Sequence, residues 1–146
     1  MASIQRTSGL FGNYADNPNT FDDAASATLL ASTVYRIALL AGQHSFIANA
    51  EHVRQTIFAP AASGSSNNAS SLQHFTSDMW LTPVVNPHQF GVEGTQSPEG
   101  QAFVVELEAA WRDWVNAGSP GVNAASRITT SLWMWALVAG VMAALW

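Results

Sequence analysis

Asp22-Asp23-Ala24-Ala25-Ser26-Ala27-Thr28-Leu29-Leu30-Ala31-Ser32-Thr33-Val34-Tyr35-Arg36-Ile37-Ala38-Leu39-Leu40-Ala41-Gly42 reads as one helix with its own start and stop. Asp22 or Asp23 can accept from the free amides of the first turn. Ala24, Ala27, Ala31, Val34, Ala38 and Ala41 then keep the i, i+3, i+4, i+7 spacing of one helical face until Gly42 ends it. The stripe is rich in alanine, which lets a neighbouring helix come close. A second helix is expected over Phe46 to Phe58, with Ile47, Ala50, Val53, Arg54 and Ile57 on one side and Pro60 as its stop. The short link through Gly42 and His44 makes the two antiparallel neighbours, so the chain is mainly α.

Upstream, Phe11 to Thr20 is a run of turn formers and reads as an ordered or semi-ordered loop. Downstream, Ala59 to Ser71 is low-complexity Ala, Ser, Gly and Asn, too poor in large apolar groups to pack. Phe75 to Val85 is β-biased but broken by Pro83 and Pro87, which predicts extended chain with at most short strands. Asn86 to Gly94 is expected to be loop. Ser97-Pro98-Glu99 then combines an N-cap, a proline at the first helical position and an acid at the positive end of the helix dipole. That start predicts a helix from Pro98 to about Val115. Phe103, Leu107, Ala110, Trp111 and Trp114 face inward, Glu106, Arg112 and Asp113 are more exposed, and Gly118 ends it.

Leu132 to Trp146 carry no charge and, beyond three indole nitrogens, no polar side-chain group. Small residues around Gly118 to Ser126 precede this tail, a layout resembling a glycosylphosphatidylinositol signal with Asn123 as the attachment site. The spacer after Asn123 is shorter than usual for such a signal. Fifteen helical residues reach roughly 22 Å, short of the bilayer core, so a tail anchor is a second reading and a buried terminal helix a third. A lipid signal is read in the endoplasmic reticulum, yet Met1 to Arg6 opens no apolar leader. The expectation is therefore a C-terminal part of a longer secreted chain, with residues 1–125 as part of a domain and 126–146 as a hydrophobic tail.

With only 5 Lys and Arg against 10 Asp and Glu, there is no basic patch to neutralise a phosphate backbone, and no nucleic-acid partner is expected. The absence of cysteine excludes disulfides and thiolate metal sites. Asn68-Ala69-Ser70 is a glycosylation sequon in a polar loop, modest support for secretion. His44, His52, His74 and His88 show no pair at ligand spacing, so no metal is expected. Neither a phosphate loop nor a Gly-x-Ser-x-Gly elbow is present. Asp22, Asp23 and Glu99 are accounted for as helix-start residues, while Asp78 and Glu93 flank an aromatic, proline-rich loop without such a role. Trp80 in that loop can stack on the apolar face of a sugar.

Four blocks taken in order resemble one family. They are Phe11-Gly12-Asn13-Tyr14-Ala15-Asp16-Asn17-Pro18, Phe21-Asp22-Asp23-Ala24-Ala25-Ser26-Ala27, His74-Phe75-Thr76-Ser77-Asp78-Met79-Trp80-Leu81-Thr82-Pro83-Val84-Val85 and Gln96-Ser97-Pro98-Glu99-Gly100-Gln101-Ala102-Phe103. From Ile4 to about Ala125 the chain resembles the C-terminal third of fungal six-hairpin glycosidases of glycoside hydrolase families 88 and 105, the unsaturated rhamnogalacturonyl and glucuronyl hydrolases. The resemblance implies part of an (α/α)6 barrel, about two of its hairpins. It also implies an oligosaccharide substrate ending in an unsaturated uronic acid, hydration of that sugar's double bond by an aspartate, and no cofactor. The motifs bearing the catalytic aspartate are not recognisable here, so no catalytic residue is assigned. By position in the family, the loop before the last helix lies at the barrel mouth, which makes Ser97, Gln101, Trp80 and His88 the substrate-binding candidates.

The first expectation is thus a fragment of a secreted or lipid-anchored glycosidase, inactive alone, with apolar faces left uncovered by missing hairpins. The alternatives are a non-enzymatic cell-surface carbohydrate-binding module and a tail-anchored membrane protein held through Leu132 to Trp146.

Overall fold

A computed structural model describes residues 4–61 and 72–122 of the chain. Over these residues the protein is mainly helical, with α1 (Ala24–Ala41), α2 (Ile47–Ile57), a hairpin of β1 (Val84–Asn86) and β2 (Gln89–Gly94), and α3 (Pro98–Asn116). Asn68, Asn123 and the apolar tail lie outside the described residues.

The central element is α1, which packs on both α2 and α3. Its start is over-determined, because three amides that a helix leaves unpaired are all met. Ala24 N–H donates to the Pro83 carbonyl at 2.8 Å, and the Asp23 carboxylate accepts from Ala25 and Ser26 at 3.1 and 3.3 Å. Asp23 is therefore the cap. Asp22 is turned aside to Arg6 at 2.8 Å and to the Ser8 hydroxyl at 2.7 Å. Gly42, in the left-handed region at φ 63°, closes the helix. The alanine stripe is buried as its spacing requires from Ala24 to Ala38, and only Ala41, the last residue of the helix, is exposed.

The core gathers Leu10 and Phe11 from the N-terminal segment, Val34 and Tyr35 from α1, and Ile47, Val53 and Ile57 from α2. Leu81, Val84, Leu107 and Trp114 complete it. Burying each large aliphatic is worth about 1.5–3 kcal/mol, so these contacts outweigh the weak helix propensity of Thr28, Val34 and Tyr35 within α1. By length and composition α1 is also apolar enough to cross a membrane, a property that core helices share.

At the far end of α3, Gly118 takes φ 84°. Its N–H reaches the Val115 carbonyl at 2.9 Å, and Ser119 N–H reaches that of Trp114 at 3.0 Å. This is a Schellman closure, which needs a residue free to adopt the left-handed conformation. The expected inward face holds at Leu107, Ala110 and Trp114, with Phe103 and Trp111 half-buried.

One expectation is corrected. Asn86 to Gly94 is not loop, since β2 pairs antiparallel with β1 (Val84 with Gly94, Val85 with Glu93, Asn86 with Gln89) and an irregularity follows Val85. Pro87 sits in the turn, where its missing N–H costs no ladder bond.

The N-terminal loop is ordered around Arg6. Its guanidinium donates to the Thr20 carbonyl at 2.6 Å, Asp22 at 2.8 Å, the Thr20 hydroxyl at 3.1 Å and the Asn17 carbonyl at 3.2 Å. Gly12 lies directly against this guanidinium, so close that a Cβ there would overlap it.

Candidate functional site

Ser97, Gln101 and Trp80 meet at the N-terminal end of α3. The segment from His74 to Thr82 doubles back on itself there. Phe75 bridges Leu81, Thr82 N–H donates to the His74 carbonyl at 3.0 Å, and Thr76 N–H donates to the Trp80 carbonyl at 2.9 Å. The bend is a turn over Thr76 to Met79, with Met79 N–H on the Thr76 carbonyl at 2.9 Å. Met79 itself lies in the left-handed region at φ 65°. A side chain bears a conformational cost there, so the surroundings must hold the turn.

Gln101 supplies that hold. Its amide oxygen accepts from Leu81 N–H at 2.9 Å and its amide nitrogen donates to the Met79 carbonyl at 2.8 Å. One side chain on a rigid helix thus grips the backbone on either side of Trp80. The Thr76 hydroxyl adds a third tie, accepting from Trp80 N–H at 3.0 Å. Trp80 is half-buried, and its indole N–H is left without a protein partner among the described residues. Backbone held in this way loses little freedom when a ligand stacks on the ring it carries.

Ser97 is engaged in starting α3. Its hydroxyl oxygen accepts from Gly100 N–H at 2.9 Å and its hydroxyl donates to Glu99 at 3.3 Å. Both Ser97 and Gln101 therefore frame the site with polar atoms already in use. His88 stands apart on the hairpin turn. Its backbone N–H is held by the Asn86 side chain at 2.9 Å and its ring is exposed, with no hydrogen bond to the other three. The hairpin is in turn tied to the N-terminal loop, since Asn13 donates to the Phe90 carbonyl. Asp78 and Glu93 are both exposed, on the Trp80 turn and on β2.

A second polar cluster, which no sequence motif announces, lies between α1, α2 and α3. The fully buried Tyr35 donates its hydroxyl to Glu51, and Arg54 pairs with the same carboxylate at 3.3 Å. The Arg54 guanidinium lies 4.2 Å from the centre of the Trp111 ring, and Tyr35 tilts against Trp114 with ring centres 5.2 Å apart. Burial, and then the hydrogen bond to Glu51, push the Tyr35 hydroxyl far above its ordinary range. Burial alone would raise the Glu51 carboxyl as well. The hydrogen bonds from Tyr35 and Arg54, with the Arg54 charge, outweigh it and hold Glu51 below its ordinary value. Glu51 is thereby kept ionised and satisfied, the condition of a structural carboxylate and not of a general acid.

Open hollows occur on the helical faces. A hollow of about 570 Å³ runs along α3 past Phe58, Val104, Glu108 and Arg112, and one of about 270 Å³ lies between α1 and α3. No group of three His, Asp or Glu side chains suited to a metal ion occurs among the described residues. No family model matches the chain, and no curated protein or solved structure matches it either.

Proposed function

We propose that the chain is the C-terminal part of a six-hairpin glycosidase acting on oligosaccharides that end in an unsaturated uronic acid, and that alone it binds the sugar without cleaving it. One observation carries the reading: the two-sided grip of Gln101 on the backbone around Trp80, which fixes the chain that carries this aromatic ring at the start of α3. An indole face suits the axial C–H groups of a pyranose, and an indole N–H with no partner among the described residues suits a hydroxyl or carboxylate. Ser97 and Gln101 act as positioning residues, and the exposed His88 ring is a further contact for a longer saccharide.

The helical hairpin α1–α2 with α3 beside it suits part of a ring of hairpins, as does the apolar side of α1 that faces water. Among the acids, Asp23 caps α1, Asp22 pairs with Arg6, and the half-buried Glu51 is bound by Tyr35 and Arg54. Secretion and attachment to a membrane through residues 126–146 belong to the same reading.

A second reading, a non-catalytic cell-surface carbohydrate-binding module, is favoured by the same indole. The two part on catalysis. The chain is incubated with an unsaturated digalacturonide and the ultraviolet absorbance of the ring double bond is followed. The chain alone leaves it unchanged. The glycosidase reading gains if a polypeptide supplying the missing hairpins restores its loss, and the module reading gains if none does while binding persists. Turnover by the chain alone would contradict both.

A further inference from the structure

The turn that carries Trp80 holds a residue that its geometry does not favour. Met79 N–H donates to the Thr76 carbonyl at 2.9 Å and Thr76 N–H to the Trp80 carbonyl at 2.9 Å, so Ser77, Asp78 and Met79 form the three-residue loop of a tight reversal. The last position of such a loop is left-handed and is ordinarily glycine, with asparagine the next choice. Here it is Met79, at φ 65°. Ser119, the other non-glycine residue with positive φ among the described residues, serves the closure of α3. Packing does not offset the cost at Met79, because its side chain is 48% exposed and takes no part in the core. A large apolar side chain held exposed in an unfavourable conformation points to contact with something outside the fold.

Its place in the turn decides what it meets. The Met79 carbonyl belongs to the peptide that joins it to Trp80, and Gln101 donates to that carbonyl at 2.8 Å. One hydrogen bond therefore fixes the peptide plane from which both side chains leave. Trp80 offers a flat, rigid ring. Met79 offers an unbranched thioether, which adapts to an irregular apolar surface. The C–H groups at the rim of a pyranose are such a surface, and a single stacked ring leaves them in water. We infer that Met79 is a second binding residue of the saccharide site, covering the rim of the sugar that stacks on Trp80. The inference rests on the sugar-binding reading and deepens it, since it adds to the ring a contact selective for a ligand with apolar C–H groups beside its stacked face.

Calorimetric titration of the full chain with an unsaturated digalacturonide tests it, with amide hydrogen exchange of the same variants as a control on the turn. Met79→Asn keeps a residue suited to the left-handed position but deletes the apolar side chain. It weakens binding by about fivefold or more, while Leu81 N–H exchanges no faster than in the native chain. Met79→Leu keeps an apolar side chain and binds to within about threefold of the native chain. If Met79→Asn binds as tightly as the native chain while Trp80→Ala abolishes binding, the inference is overturned and the sugar-binding reading stands. A loss in Met79→Asn that comes with faster exchange at Leu81 would also overturn it, because the turn itself would then have opened. A native chain that takes up no saccharide overturns the reading, and this inference with it.

Discussion

Replacing Gln101 isolates the element on which the candidate site depends. Gln101→Ala removes two hydrogen bonds at 2.8 and 2.9 Å that span from α3 to the backbone around Trp80. Each is worth about 0.5–1.5 kcal/mol net, and the Leu81 amide, on a fully buried residue, loses its acceptor. The expected destabilisation is about 1–3 kcal/mol, concentrated in residues 74–82 instead of spread over the helices. Native-state hydrogen exchange reads this directly, since Leu81 N–H exchanges about ten- to a hundredfold faster while amides in the middle of α1 are unchanged. Gln101→Glu sharpens the test. A carboxylate still accepts from Leu81 N–H, but when ionised it cannot donate to the Met79 carbonyl and repels it. This variant is therefore destabilised at neutral pH and partly recovers as the solution is taken below about pH 4, where the acid regains a donor. If Leu81 exchanges at the native rate in Gln101→Ala, the grip on Trp80 is not what orders the turn, and the reasoning fails.

Tyr35→Phe keeps the ring but removes the donor to Glu51, at a cost of about 1.5–3 kcal/mol by thermal or urea unfolding; a loss under about 0.5 kcal/mol would show the hydroxyl to be idle. The same hydroxyl sets the alkaline limit. With its folded value raised above the ordinary 10.0, its contribution is fully present below pH 10 and is lost as the pH rises beyond it, so the alkaline loss is shallower in Tyr35→Phe. Glu51 acts at the other end. Its folded value lies below the ordinary 4.5, so its contribution is present above that pH and is lost on acidification through the folded value, a slope that Glu51→Gln abolishes. Gly12→Ala pushes Arg6 off Thr20 and Asp22 and costs about 1–2 kcal/mol; combined with Arg6→Ala the losses do not add, whereas additivity would mean that Gly12 acts elsewhere.

The helices α1 and α3 were legible because each carries local punctuation. Asp23 and Gly42 bound α1, and Ser97 with Pro98 opens α3, interactions confined to within three residues of each end. The hairpin was harder to read. Phe90 and Val92 do alternate with Gly91 and Glu93, but Pro87 and the glycines lowered the strand signal, and a strand exposed along nearly its whole length has no buried face to betray it. The grip of Gln101 on Leu81 spans twenty residues of sequence and Tyr35 reaches sixteen to Glu51, separations at which no periodicity points from one partner to the other. Trp80 could be singled out by type and setting. What pins it could not.

The most direct test of the account titrates the isotopically labelled chain with an unsaturated digalacturonide and follows the six tryptophan indole N–H resonances. The account predicts a saturable shift of the Trp80 resonance, assigned by its disappearance in Trp80→Ala, with Trp111 and Trp114 in the helical core unmoved. A Trp80 resonance that stays in place at saturating saccharide, or shifts spread equally over the core tryptophans, would contradict the claim that this turn is a sugar-binding surface.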